Sequence, residues 1–241
     1  MTGTHCATLA LSESVVVEHL QALGPPAFAA SSLALLAQWR AELEEKVEPG
    51  YLSILTYHGA DRKKLRKKDI LRYDFVLTTY GTLVADFEDD EAIEKAAKRE
   101  AKKAGEPEAW EGYLKASKGV GPMFDMSFYR IILDEAQQIR NRGTKVSRAV
   151  TRLDALFRWA LTGTPVTNSL ADLFPLFRFL QLKPWYDWKD YNQSVVSYEK
   201  KHPDTAGRKA QAILRTVPPP PPPPRAGRTL SPSRFTGCRA R

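Results

Sequence analysis

Apolar positions along this chain follow two alternating patterns. Short runs at Leu52–Tyr57, Phe75–Thr79, Phe128–Leu133 and Arg158–Thr162 read as strands. Between them lie stretches with helical spacing. Ser32 can cap a helix from Leu33 to Val47, with Leu35, Leu36, Trp39 and Leu43 as its apolar stripe and Pro49-Gly50 as its stop. Val146–Leu156 fits a second helix. Leu170–Leu180, rich in Leu and Phe, fits a third, and Ala210–Val217 begins a fourth. Strands alternating with helices predict an α/β fold, a parallel sheet flanked by helices.

The pattern weakens at both ends and once in the middle. Residues 1–32 form a poorly defined N-terminal segment. Met1–Leu11 has no clear period, and Ser12–Leu23 reads as a short helix that Gly24-Pro25-Pro26 breaks. Ala27-Phe28-Ala29-Ala30 is a poor strand, low in β-branched residues. Asp86–Ser127 reads as an insertion between two core strands. Its first part, Asp86–Gly105, has the composition of a solvated helix, and its second part is loop-like. Trp185–Tyr198 reads as a short helix and a loop. Pro218–Pro224 predicts an extended polyproline II segment, followed by a disordered Arg/Ser/Gly tail to residue 241. Residues 33–217 are then the globular body.

The 241 residues suffice for one large or two small domains. No apolar run approaches a membrane span. No basic segment followed by an apolar one marks a secretory signal at the N-terminus. Cys6 and Cys238 sit near opposite ends, which fits a reducing compartment better than a disulfide framework. The net charge of +8 is unevenly placed. Eight of the 36 Lys+Arg residues follow Asp204, after which there is no acidic residue, so the body carries 28 basic against 28 acidic residues. Global charge is therefore no evidence for a nucleic-acid-binding face.

The candidate chemistry begins where the third of these strand runs ends. Ile131-Ile132-Leu133 delivers two adjacent carboxylates, Asp134 and Glu135, then Ala136 and Gln137. A strand tip with paired acids can hold a phosphate-bound cation and orient a water. Solvent-facing acids at a strand end are the plainer account of a bare Asp-Glu pair. Downstream, Leu161-Thr162-Gly163-Thr164-Pro165 reads as a strand, a turn and a cap for the next helix at Thr167 or Asn168. Arg62–Lys68 packs six basic residues into seven. Such a run suits a solvated loop, a nuclear-import signal or contacts to phosphate.

Together these segments resemble the first RecA-like lobe of SWI/SNF-type DNA translocases, within superfamily-two helicases. Asp134-Glu135-Ala136-Gln137 is similar to motif II, the Walker B box, and Leu161–Pro165 with Asn168-Ser169 to motif III. RNA helicases carry Ser-Ala-Thr at the latter position. Leu33–Trp39 with Glu42 resembles motif Ia, and Tyr73–Tyr80 resembles motif Ib. Gln138–Asn141 and Phe174–Trp185 extend the likeness, which is nearest the branch containing helicase-like transcription factor and the RING-bearing postreplication-repair translocases.

The resemblance implies ATP and Mg²⁺ as cofactors, double-stranded DNA, chromatin and repair proteins as partners, and a nuclear location. It makes Asp134 the Mg²⁺ ligand, Glu135 the activator of the lytic water and Gln137 the coupling residue. Thr162, Gly163 and Thr164 become the coupling motif. Gln38, Trp39, Thr78, Thr79, Lys67 and Lys68 become the DNA contacts. Two features of the family are not found. No Gly-x-Gly-Lys-Thr loop occurs in the sequence. If Ala7–Leu11 is the helix that follows such a loop, Thr4 and His5 stand in the Lys and Thr positions. Ile213–Val217 runs into polyproline rather than a second lobe with its arginine finger. No RING cysteine pattern occurs. The expectation is a truncated ATP-binding lobe of a DNA-dependent ATPase; the alternative is an inactive lobe that only binds DNA or protein.

Overall fold

The computed structural model describes residues 6–10, 26–88, 98–106, 121–202 and 205–215. Six strands form one sheet: β1 (Cys6–Ala10), β2 (Ala27–Ser31), β3 (Ile54–Tyr57), β4 (Phe75–Thr79), β5 (Ser127–Leu133) and β6 (Asp154–Leu161). Their order is β1-β6-β5-β2-β4-β3, and every pairing is parallel. A parallel sheet must be covered on both faces. Here the helices are α1 (Leu33–Lys46), α2 (Lys67–Ile70), α3 (Tyr80–Asp86), α4 (Lys145–Arg152), α5 (Phe174–Leu180), α6 (Trp188–Tyr191), α7 (Ser197–Lys201) and α8 (Ala206–Arg215). The expected α/β class and RecA-like sheet are therefore present.

Side-chain alternation along the strands divides the core in two. Ala27, Ala29, Phe75, Leu77, Ile132, Trp159 and Leu161 share one cluster with Leu36, Trp39 and Leu43 of α1. Phe28, Val76, Ile131, Leu133 and Ala160 belong to the other, with α3, α4, α5 and the segment up to Ile213. Phe28 meets Phe128 with ring centroids 5.0 Å apart.

The sequence under-reads the N-terminal part. Ala27–Ser31 is fully buried and lies between β5 and β4, with Phe28 opposite both Ile131 and Val76. Ladder bonds on both edges override the weak strand propensity of an Ala-rich segment. The sheet thus starts well before Leu33. Cys6–Ala10 forms a strand paired with Phe157–Leu161, not the expected helix over Ala7–Leu11. The expected helix at Ser12–Leu23, the Thr4 and His5 positions, and the tail from 216 onward lie outside the described residues.

Other boundaries shift for local reasons. Thr144 caps α4 by accepting the Ser147 amide, and the backbone turns extended at Leu153 so that β6 can begin at Asp154. The expected helix over Val146–Leu156 is cut short there, because β6 must pair with β5 from Ser127↔Asp154 onward. Leu170–Leu180 is a 3₁₀ turn, Leu170–Leu173, followed by α5, which has Pro175 in its first turn. Trp185–Tyr198 contains α6, a π-helical turn over Asn192–Val196 and the start of α7.

The inserted segment is anchored where it leaves and re-enters the sheet. The Gly121 amide donates to the Asp86 carbonyl at 2.9 Å, and a Cβ at Gly121 would lie 2.7 Å from the Asp86 Cβ. Only glycine allows that approach. Beyond the seam Met123, Phe124 and Met126 are buried, and Phe124 packs on Phe87 at 5.4 Å. The described part of the expected loop is therefore core. Among the described residues, no helix is long and apolar enough to cross a membrane.

Candidate functional site

Because all strands run the same way, their carboxyl ends share one edge of the sheet. In open α/β sheets that edge is where ligands bind. It gathers Ser31 and Ser32 after β2, His58 after β3, Thr79 and Tyr80 at the end of β4, Asp134 and Glu135 after β5, and Thr162 after β6.

Asp134 is clasped from three sides. Its amide donates to the Ala30 carbonyl at 2.9 Å. The Trp39 indole N–H donates to Oδ2 at 2.8 Å. The Tyr80 hydroxyl donates to the Asp134 carbonyl at 2.7 Å. Burial raises the Asp134 carboxyl above the ordinary aspartate range, the Trp39 bond acts against that rise, and the Glu135 and Glu42 charges add to it. The Tyr80 hydroxyl, fully buried beside those acids, is pushed well up and stays a donor.

Glu135 has left-handed backbone geometry, φ 51° and ψ 50°. That conformation is uncommon for a residue other than glycine and costs about 1 kcal/mol or more. It turns the chain sharply after β5 into the 3₁₀ turn Ala136–Ile139. Glu135 accepts a hydrogen bond from the Gln137 Nε2, and Gln137 Oε1 accepts from the Thr162 hydroxyl at 2.8 Å. Thr162 Oγ1 in turn accepts the Thr164 amide at 3.2 Å. A single side-chain relay thus joins the acid after β5 to the turn after β6. The rest of that turn is held by Asp172, which accepts the amides of Thr167, Asn168 and Ser169, with Ser169 as the capping residue instead of Thr167 or Asn168.

Asp134 and Glu135 suit a hard divalent cation. Magnesium is usually held by one or two carboxylates and completed by phosphate and water oxygens. No cluster of three or more His, Cys, Asp or Glu occurs among the described residues.

A second concavity opens on the same edge. A groove of about 450 Å³ is lined by the ends of β2 and β4, the starts of α1 and α3, His58 and Arg62. His58 Nδ1 lies 2.9 Å from the Thr82 hydroxyl, which lies 2.9 Å from the Thr79 hydroxyl. Arg62 is held by Asp86, with Nη2 to Oδ1 at 3.0 Å, and it donates to the Gly59 carbonyl. The Tyr57 hydroxyl donates to the same Asp86 carboxylate at 2.8 Å.

A family model described as the SNF2-related domain matches residues 20–217. The chain belongs to the SNF2-related family. Its relatives are of the RAD5 and helicase-like transcription factor type. DNA repair protein RAD5 of Mycosarcoma maydis is 35% identical over 196 residues, covering 80% of this chain and 13% of that protein. DNA repair protein RAD5A of Arabidopsis thaliana is 32% identical over 185 residues, covering 77% and 16%. Helicase-like transcription factor CHR27 of the same plant is 32% identical over 210 residues, covering 76% and 20%. The chain therefore spans a fifth or less of the length of these relatives. Among solved structures, the Sulfolobus solfataricus SWI2/SNF2 ATPase core in complex with dsDNA shares the fold. Its TM-score is 0.59 at 24% identity, over 89% of this chain and 39% of that one.

The structure joins Glu135, Gln137 and Thr162 by hydrogen bonds beside Asp134, and Gly163 and Thr164 are exposed in the turn that follows. The expected DNA contacts fare differently. Trp39 is 6% exposed and bonds Asp134, because its side of α1 packs on the sheet. Thr78 is fully buried and donates to the Tyr57 carbonyl at 2.7 Å. Gln38 is exposed and donates to Glu42. Lys67 and Lys68 are exposed on α2 and do not line the groove; Lys67 donates to the Asp125 carbonyl. Of that set only Thr79 lines it. Sequence reasoning passed over Ser31, His58, Tyr80 and Thr82. The Tyr57-His58-Gly59 step after a strand was the available signal, and it was read as a strand end.

The buried acid makes a test by itself. A carboxyl whose folded pKa is raised destabilises the fold as pH climbs out of the ordinary aspartate range through the raised value. Asp134→Asn removes that cost and keeps an oxygen for the Trp39 indole. In metal-free buffer at neutral pH the variant is expected to melt above wild type, and the gap should close as the pH falls. A variant that melts below wild type at neutral pH refutes this account of Asp134.

Proposed function

We propose that this chain is the ATP-binding lobe of a DNA-dependent ATPase that acts on duplex DNA in repair or chromatin remodelling. The observation that carries the reading is the Glu135–Gln137–Thr162 relay, on the same sheet edge as the groove that Ser31, Ser32, Thr79 and Thr82 help to line. In this reading Asp134 holds Mg²⁺ on the nucleotide, and Glu135 orients the attacking water and takes its proton. Bound Mg²⁺ supplies charge neutralisation for the phosphates. Gln137 and Thr162 hold the Glu135 carboxylate and tie its position to the turn after β6. Duplex phosphates lie in the groove against Ser31, Ser32, Thr79 and His58, where hydroxyls and amides can meet them. Arg62, already paired to Asp86, shapes the wall more than it supplies free charge. A nuclear location follows from such a substrate, with chromatin or repair proteins as partners.

A second reading is favoured by one observation. The connection from β1 to β2, residues 11–25, contains no Gly-Lys-Thr. Such a tripeptide belongs to the loops that cradle phosphates. In this reading the lobe binds DNA or protein and hydrolyses nothing.

Two measurements on the purified chain decide the matter. Fluorescence anisotropy with a labelled duplex should show binding that weakens steeply as salt rises. ATP hydrolysis should rise on adding duplex DNA and stay flat on adding duplex RNA. Binding without hydrolysis moves the conclusion to the second reading. Failure to bind any duplex refutes both DNA roles.

A further inference from the structure

We infer that Trp39 and Tyr80 are positioning residues that transmit occupancy of the groove to the Asp134 carboxylate. The inference rests on the proposed function and goes beyond it by assigning the connection between its two sites.

The argument is geometric. α1 and α3 both begin at the groove: Ser32 and Leu33 line it at the start of α1, and Thr79, Tyr80, Gly81 and Thr82 at the start of α3. Each helix also reaches Asp134 with one aromatic side chain. Trp39, two turns into α1, donates to Oδ2 at 2.8 Å; Tyr80, the first residue of α3, donates to the main-chain carbonyl at 2.7 Å. Tyr80 thus touches both sites. It lines the groove, and its hydroxyl is bonded to the residue that carries the acid.

The chemistry of the two bonds separates their roles. The Trp39 indole bonds Oδ2 and, with the Glu135 amide that the carboxylate also accepts, fixes the plane of the carboxylate. Tyr80 fixes the peptide from which that side chain extends. The third tie, from the Asp134 amide to the Ala30 carbonyl, leads back along β2 to Ser31, also in the groove wall. Three contacts of Asp134 therefore run to elements that border the groove, and a fourth, from the Glu135 amide to the carboxylate, is local. A shift of α1 or α3 on binding a phosphate backbone must move a donor on Asp134, since neither bond has slack beyond a few tenths of an ångström. Both aromatics also pack in the core, and Tyr80→Phe keeps the ring while losing the bond.

The test is spectroscopic. In a ¹H–¹⁵N spectrum of the full chain, the Trp39 indole N–H is assigned by its loss in Trp39→Phe, or by elimination with the other tryptophan variants if that one does not fold. Saturating wild type with a short DNA duplex should move this resonance, although Trp39 does not line the groove. Adding Mg²⁺ alone should also move it. In Tyr80→Phe, which removes one oxygen, the duplex-induced shift should fall by about half or more when compared at duplex concentrations that saturate each protein by anisotropy. A Trp39 resonance that is stationary under saturating duplex overturns the inference and leaves the proposed function standing. So does a shift that is undiminished in Tyr80→Phe. A chain that binds no duplex overturns the proposed function, and this inference with it.

Discussion

Glu135→Gln is expected to lower duplex-stimulated ATP hydrolysis by about 10²-fold or more while ATP still binds. The substitution changes little except charge and proton affinity. An amide keeps an oxygen able to accept the Gln137 hydrogen bond, so the relay to Thr162 can survive. It cannot take a proton from water, which is the step assigned to the carboxylate. Asp134, the proposed cation ligand, keeps its bonds to Trp39 and Tyr80. The left-handed backbone at Glu135 is unaffected, because glutamine meets the same steric limits there. The variant should therefore melt within a degree or two of wild type. The measurement is steady-state hydrolysis beside equilibrium binding of a fluorescent ATP analogue. A variant that retains a tenth or more of wild-type turnover removes Glu135 from the chemistry. One that loses nucleotide affinity in the same proportion makes it a binding residue.

Phe177→Ala should cost about 3–5 kcal/mol of stability, lowering the melting temperature by about 10 °C or more. Phe177 is fully buried in α5 and meets Tyr191 edge to face at 5.9 Å. Tyr191 also packs on Phe174, Trp185 and Trp188, and its hydroxyl donates to the Leu170 carbonyl. This aromatic group ties the C-terminal helices to the turn after β6, and a cavity at its centre cannot be closed by rigid neighbours. Tyr191→Phe, by contrast, removes a hydroxyl alone and should cost about 1–3 kcal/mol for the buried carbonyl left without its donor. Chemical denaturation of the two variants should rank them in that order. A Phe177→Ala loss below about 1 kcal/mol would mean that the aromatic group repacks.

The residues at the strand tips were legible in the sequence, and the groove beside them was not. Asp134, Glu135 and Thr162 were readable because apolar runs place them at strand ends, where period and turn leave little choice. The groove is assembled from four separate connections, and no local pattern announces it. Trp39 shows the difficulty best. An exposed role and a buried one require the same helix, and only the packing of α1 on β2, β4 and β5 decides which side of that helix faces the sheet. β2 failed for a related reason: Ala27–Ser31 has no propensity of its own and is a strand because its neighbours complete its hydrogen bonds. The basic run at Arg62–Lys68 was visible, but its apparent charge is partly spent internally, on Asp86 by Arg62 and on Asp61 by Lys64.

The seam at Asp86 and Gly121 carries a consequence for how this lobe can change over time. The chain leaves the body and returns to it through one hydrogen-bonded gate, closed on the inside by Phe87 and Phe124. For a segment hung between fixed ends, doubling its length costs only about 0.6 kcal/mol. Lengthening that connection costs the sheet little, so long as Phe87, Ala101 and Gly121 keep their places. The position is a socket: the part of the molecule where a new attachment can be tried while the carboxyl edge of the sheet keeps its geometry.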